Sequence, residues 1–201
     1  FFAATEIAKA ADVSFSGQIR TRFEVHEQAD FSDATEADDF TSTRVRLNAN
    51  VNVNDSTSAF IQMQSVRTWG ESLSTGGVGS GNASYTNSDA DASVGLHQAY
   101  FTLKNFASLP VDLQLGRQEV VLDGHRLFGH TGWAQGANTH DAVRLTHSHD
   151  NMTLMYAWIQ ANESASRGDN RNDVEAHLLY GNLSGVLGGK LSVTYAWLMD
   201  N

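Results

Sequence analysis

Four arginines occupy alternate positions in two separate stretches of the chain: Arg20 and Arg22 in the first, Arg44 and Arg46 in the second. Guanidinium groups keep their charge at physiological pH and bind carboxylates or phosphates through two parallel hydrogen bonds. Residues two positions apart on a strand point to the same face, so each pair would place two cations on one side of the chain. Arg144 has the same kind of position in a third stretch. These residues have the chemistry of successive weak sites for an anionic solute.

The same arginines could instead have a structural role. Like charges placed close together repel each other, so they need carboxylates, water or an anionic solute as partners. The carboxylates on predicted strands that could pair with them are Glu24, Glu119, Asp141 and Glu175. A salt-bridged rigid wall and an anion pathway are both compatible with the sequence, and one side chain can serve in both.

Other residue types give no comparable pattern. His147 and His149 lie beside Asp150 and could suggest a metal site, but they fall at a predicted turn, which favours a solvated pair. Ser148, His149 and Asp150 are the residue types of a hydrolytic triad, yet such triads depend on spatial geometry and not on adjacency. We therefore expect no catalytic residue, no metal, no cofactor and no enzymatic activity.

The elements that position the arginines are predicted to be long strands. In residues 15–26, Phe15, Ile19 and Phe23 alternate with polar residues, and residues 44–54 repeat the division. Each run therefore builds a ribbon with one apolar and one polar face. Strands of soluble sandwiches average about 5–6 residues, whereas these runs have the roughly ten residues of a tilted transmembrane strand. The fold class predicted is all-β, an antiparallel transmembrane β-barrel with arginines facing a water-filled interior.

Nine such strands follow one another along the chain. They are predicted at about residues 13–27, 40–54, 57–69, 94–105, 111–121, 140–148, 152–161, 173–181 and 190–199, with a bulge at 65–67 and a loop at 122–139. The connections alternate between long and short, which is typical of outer-membrane barrels with long extracellular loops and short periplasmic turns. This pattern predicts a periplasmic N-terminus and a bacterial outer-membrane location.

Composition restricts the alternatives. The chain has 201 residues, no cysteine, 41% hydrophobic residues and a net charge of −10. No apolar run approaches the roughly 20 residues of a membrane helix. A membrane β-barrel needs no such run, because only every second residue of its strands faces lipid. An acidic chain without a basic stripe is a poor nucleic-acid binder, so we expect no nucleic-acid partner.

Two regions are distinguished. Residues 1–12 are either a signal-peptide remnant or an N-terminal periplasmic segment, because 8–10 have the small-x-small form of a cleavage site but no basic region precedes them. Residues 13–201 are the barrel portion. Since single-chain bacterial barrels normally have an even number of strands, nine strands suggest the N-terminal part of a larger barrel, or edges that something else pairs with.

Several blocks of the sequence have a recognisable pattern, namely residues 16–24, 69–71, 96–101 (Leu-His-Gln-Ala-Tyr-Phe), 115–119 (Leu-Gly-Arg-Gln-Glu), 123–127, Trp133 and 141–144 (Asp-Ala-Val-Arg). Together they resemble the alginate export porin family of Gram-negative outer membranes. The resemblance implies a monomeric barrel of about eighteen strands that passively exports an anionic polyuronate. It also implies that the pathway is lined by Arg20, Arg22, Arg44, Arg46, Arg117 and Arg144. The expected partners are an anionic saccharide or small anionic solute, outer-membrane lipid and lipopolysaccharide.

Three other interpretations remain open at this point. The barrel could be a scaffold or sleeve for a partner protein, or it could be an outer-membrane enzyme. The chain could also be a soluble sugar-binding β-sandwich, for which a compact monomer in detergent-free solution would be expected.

Overall fold

The computed structural model describes residues 12–26, 38–70, 94–125, 127–162 and 174–200. Nine strands make up most of this chain: β1 (Asp12–His26), β2 (Asp38–Asn54), β3 (Thr57–Thr68), β4 (Gly95–Leu103), β5 (Asp112–Gln118), β6 (His140–His149), β7 (Met152–Asn162), β8 (Val174–Val186) and β9 (Gly189–Asp200). Within these ranges no helix has both the length and the apolar character needed to cross a membrane. The prediction of an all-β protein is confirmed.

The strands form one antiparallel sheet in sequence order. Among the described strands, β1 pairs only with β2 and β9 only with β8, so the sheet is not closed. Short connections at 55–56, 104–111, 150–151 and 187–188 alternate with long ones, as predicted, and the sheet is consistent with part of a barrel wall. Residues 1–11 and most of the residues of three long connections lie outside the described ranges, and the N-terminal segment stays a prediction.

The two faces of the sheet differ in character. One face, here called the apolar face, exposes large hydrophobic side chains; Ile19 is 75% exposed and Leu47 is 55% exposed. The opposite face, here called the arginine face, carries Arg44 and Arg46, which are only 4% and 9% exposed. Alternation along the strands produces this separation, because successive side chains point to opposite sides of a sheet.

The register of the described sheet shifts at four places, and none of them is the one predicted. The β2–β3 pairing is unbroken through residues 65–67, so there is no bulge there. The register shifts instead between β3 and β4, where Gln62 pairs with Gln98 and Met63 pairs with Leu96. The extra residue, His97, is therefore unpaired, as in a β-bulge. His97 and Gln98 are consecutive, yet both are buried, each 8% exposed.

Two strand ends also differ from the sequence-based prediction. β5 ends at Gln118, because the chain turns away from the sheet there. β8 continues to Val186, through the stretch predicted as a link, and a turn at Leu187 and Gly188 joins it to β9. Both turn residues have positive φ, which is the conformation of a tight hairpin turn.

The long connection between β5 and β6 lies over the arginine face. This segment, residues 119–139, is here called the inner loop. Its Val120 and Leu122 are buried, and Phe128 packs beside them. They contact apolar residues of β6, β7 and β8, namely Ala142, Met155, Ala157, Ile159, Leu178 and Tyr180. This cluster fixes the first part of the inner loop to the sheet.

Candidate functional site

Four of the arginines form one patch on β1 and β2. Arg20 lies directly opposite Arg44 in the strand register, and Arg46 lies opposite Gln18. Like charges directly opposite each other destabilise a sheet unless other groups offset the repulsion. The partners of each guanidinium therefore decide what the patch can do.

Arg20 and Arg22 bind the second part of the inner loop. Residues 130–138, here called the tongue, form a closed loop in which the Asn138 N–H donates to the His130 carbonyl at 2.8 Å. Arg20 donates to the carbonyls of residues 132, 133 and 134 at 2.7–3.2 Å. Arg22 donates to the carbonyl of Trp133 and lies 4.8 Å from the centroid of its ring. Most of these acceptors are neutral main-chain oxygens.

Gln135 connects the tongue to both strands. Its side-chain oxygen accepts from Arg20 Nε at 2.8 Å, and its main-chain oxygen accepts from Arg44 Nη1 at 3.3 Å. Its amide nitrogen donates to the Ser42 hydroxyl at 2.8 Å. Gln135 is only 8% exposed. It therefore separates two opposed cations and places an oxygen against each of them.

Two of the four arginines in this patch have carboxylate partners among the described residues. Arg22 pairs with Glu24 on the same strand at 2.5 Å. Arg46 lies 3.3 Å from Glu119, whose same oxygen lies 3.1 Å from His97 Nε2. These two pairs are the salt-bridged wall that the sequence left open as one role of the arginines.

Arg144 lies on the same face, further along the sheet. It pairs in register with Gln114 on β5 and donates to the oxygen of that side chain. Its Nε is buried and has no hydrogen-bond partner. Among the residues that the structure describes, no carboxylate lies within salt-bridge distance of Arg20, Arg44 or Arg144.

Arg117 is not brought together with the other five arginines. It pairs in register with Ala99 and Asp141, which places it on the apolar face. Its guanidinium binds Asp141 through two hydrogen bonds of 2.9 and 2.7 Å. The expectation that Arg117 lines the same pathway therefore needs correction, because strand alternation points its side chain to the other side of the sheet.

The Gly-Arg-Gln-Glu block forms the corner where β5 becomes the inner loop. Gly116 has φ +127°, and a Cβ there would lie 2.3 Å from the Ala99 carbonyl oxygen. Gln118 is fully buried and donates to the Ala142 carbonyl at 3.1 Å. The Glu119 N–H donates to the Gln98 side chain at 3.0 Å. The block therefore directs the chain from the sheet onto the arginine face.

Asp123 fastens the first part of the inner loop to β8 and β9. Its carboxylate accepts from the Tyr180 and Ser192 hydroxyls at 2.9 Å and pairs with Lys190 at 3.0 Å. Desolvation alone would raise the pKa of the Asp123 carboxyl. The hydrogen bonds from Lys190, Tyr180 and Ser192 outweigh it and hold that pKa below its usual range.

Sequence reasoning missed the inner loop's position and, with it, Gln135. One signal was present: the faces of β7 and β8 that continue the arginine face carry Met155, Ala157, Ile159 and Leu178 instead of polar residues. Apolar residues on both faces indicate that something covers the second face. In the described part of the chain, no group of three or more histidine, aspartate or glutamate side chains has the arrangement of a metal site.

Comparison with known proteins gives one finding on family. A family model described as alginate export matches residues 11–186, which is most of the chain. No curated protein matches the sequence.

Proposed function

This chain belongs to the alginate export family, and we propose that its arginine face lines an outer-membrane channel through which an alginate-like polyuronate, or a similar anionic solute, diffuses. Family membership supports a role in alginate export through such a channel, and the family is one of transport proteins, not of enzymes. Family membership does not specify the solute or the residues that line the channel, and we propose both.

One observation carries the proposal. Arg20, Arg44 and Arg144 all lie on the arginine face, and no described carboxylate pairs with any of them. A wall built only for rigidity would pair its buried cations, because an unpaired buried charge is costly. Cations that bind only neutral oxygens keep an excess of positive charge available to an anionic chain.

The geometry supports passage without a chemical step. Each guanidinium can bind one carboxylate through two hydrogen bonds, and a polyuronate carries carboxylates at regular intervals. Arg144 lies apart from the β1–β2 patch, so successive groups of the chain could bind at successive places. Several weak sites favour entry and still let the solute leave.

The remaining surfaces fit a membrane setting. The apolar face would contact outer-membrane lipid and lipopolysaccharide, because its exposed side chains include Phe15 at 72% and Phe23 at 63%. The short connections would face the periplasm, which would place the N-terminus there as well. We propose a monomeric barrel in which these strands form part of the wall.

Single-channel recording in planar bilayers tests the proposal. Replacing Arg20, Arg44 and Arg144 by glutamine should shift the ion selectivity toward cations. It should also raise the alginate-oligomer concentration that halves the current by roughly tenfold or more, because a hydrogen bond to a charged group contributes about 1.5–3 kcal/mol. Arg117→Gln is the matched control and should change neither quantity. Unchanged selectivity and block in the triple variant would contradict the proposal.

A further inference from the structure

The tongue is held to the sheet differently from the rest of the inner loop. No tongue residue belongs to the described apolar cluster, and Trp133, its largest apolar side chain, is 76% exposed. Its described links to β1, β2 and β3 are polar: hydrogen bonds from Arg20, Arg22, Arg44 and Gln64, and those that Gln135 makes to Ser42. Residues 120–125 and 127–128, by contrast, are fixed by the apolar cluster and by Asp123.

In the conformation in which the tongue is bound to the arginine face, here called docked, its backbone geometry is unfavourable. Thr131 and Ala137, near its two ends, have φ of +51° and +56°. Side chains other than glycine rarely adopt this left-handed region, and each such residue costs on the order of 1 kcal/mol. The contacts to the arginines therefore hold the tongue in a conformation that the segment would not prefer alone.

The oxygens that the tongue presents are of the kind that a carboxylate replaces well. They are the neutral carbonyls of residues 132–135 and the amide oxygen of Gln135. A carboxylate carries the charge opposite to that of a guanidinium and can accept two parallel hydrogen bonds from it, whereas a main-chain carbonyl is neutral and offers a single oxygen. A solute whose carboxylates bind Arg20, Arg22 and Arg44 uses the same hydrogen-bond donors as the tongue. The solute can therefore bind them only after the tongue has left these arginines.

We propose that Arg20, Arg22 and Arg44 form a carboxylate-binding site that the tongue occupies with its own carbonyl oxygens, and that a polyuronate chain displaces the tongue as it binds. This inference rests on the proposed function, and it adds regulation of the same site. A ligand that binds only the undocked state shifts the population toward that state. Arg144 makes no hydrogen bond to the tongue among the described residues, so its binding of an anion would not require displacement of the tongue.

A spin label at the tip of the tongue tests the displacement directly. The chain has no cysteine, so Ala134→Cys gives a single attachment point in this chain, at an exposed side chain. The label on the complete protein in lipid vesicles is followed by electron paramagnetic resonance while an alginate trisaccharide is added. Maltotriose, which has the same length and no carboxylate, serves as the control ligand.

We expect the label to become mobile with the alginate trisaccharide, over the same concentrations that reduce the channel current, and not with maltotriose. If the trisaccharide reduces the current while the label stays immobile, the displacement is wrong and the proposed channel function stands. If neither the current nor the label responds, the proposed function fails as well. An equal response to maltotriose would overturn the role of the carboxylate.

A second variant keeps every arginine and weakens only the tongue. Gln135→Ala removes the side-chain hydrogen bonds to Arg20 and Ser42, so the tongue competes less well. The alginate concentration that halves the current should fall by roughly two- to tenfold, the factor expected for the loss of one or two such hydrogen bonds. An unchanged or higher concentration would overturn the competition, and Arg117→Gln should leave the value as in the unmodified protein.

Discussion

Arg20 and Arg44 lie directly opposite each other on β1 and β2, and neither has a carboxylate partner among the described residues. The repulsion between them is offset by a residue more than 90 positions away along the chain, because Gln135 gives an oxygen to each guanidinium. The opposed pair is therefore linked through Gln135 to the inner loop.

Gln135→Ala is expected to destabilise the protein by about 1–3 kcal/mol. The substitution removes the acceptor of Arg20 Nε and the donor to the buried Ser42 oxygens, and unsatisfied buried polar groups cost about that much each. The midpoint of urea unfolding, followed by tryptophan fluorescence, measures the effect. Asn52→Ala is the control, because Asn52 is an exposed amide on a neighbouring part of β2, and an equal loss in both variants would contradict the role of Gln135.

Gly116→Ala is expected to destabilise the protein by about 3 kcal/mol or more, or to prevent folding. The new Cβ would lie 2.3 Å from the Ala99 carbonyl oxygen, in a backbone with φ +127°, so steric overlap and backbone strain add. Folded yield in membranes and the unfolding midpoint report the loss. Gly136→Ala should be nearly neutral, since nothing lies within 4 Å of a Cβ there.

The Arg117–Asp141 pair should behave as a neutral unit on the apolar face. Asp141→Ala should destabilise the protein by about 1–3 kcal/mol, because it leaves an unpaired guanidinium on the apolar face. Replacing both residues by leucine should restore most of that stability. A double variant that is no more stable than Asp141→Ala, in the same unfolding measurement, would show that the two residues act separately.

The attachment of the inner loop through Asp123 should depend on pH. Because the folded-state pKa of Asp123 lies below its usual range, its contacts contribute fully above the usual aspartate pKa of about 3.9. They are lost as the pH falls through the lower folded-state value. Protection of the amides of residues 120–125 against hydrogen exchange, calculated at each pH relative to the exchange rate of an unstructured peptide, should therefore be high at neutral pH and should decrease once the pH falls below the usual aspartate value.

Asp123→Asn provides the control for that titration. The asparagine has no proton to gain in this range, so the protection of residues 120–125 should already be lower at neutral pH. It should then change much less as the pH is lowered. A full pH response in the asparagine variant would assign the titration to another group.

The strands and their two faces could be predicted from the sequence, because alternation is a local property with a period of two residues. Ile19, Leu47, Arg44 and Arg46 lie on the faces that alternation predicts. The prediction of a bulge at residues 65–67 was wrong. The bulge at His97 was not predicted, since it depends on the pairing of two strands and not on either one alone.

The site itself could be predicted only in part. The five arginines of the arginine face follow from alternation, whereas Arg117 was added from a family resemblance that does not specify which way a side chain points. Gln135 had no local pattern, because its partners Arg20 and Ser42 are 115 and 93 residues away. Long-range polar contacts made by a loop carry no periodicity that a single sequence would reveal.

The hydrogen bond from Asn138 to the His130 carbonyl joins the two ends of the tongue. A segment whose ends already meet can vary in length and sequence with little effect on the strands that flank it. Mutations in the tongue can therefore change its affinity for the arginines without changing the pairing of the strands. Related channels could in this way acquire different thresholds for admitting their solutes while keeping the same wall.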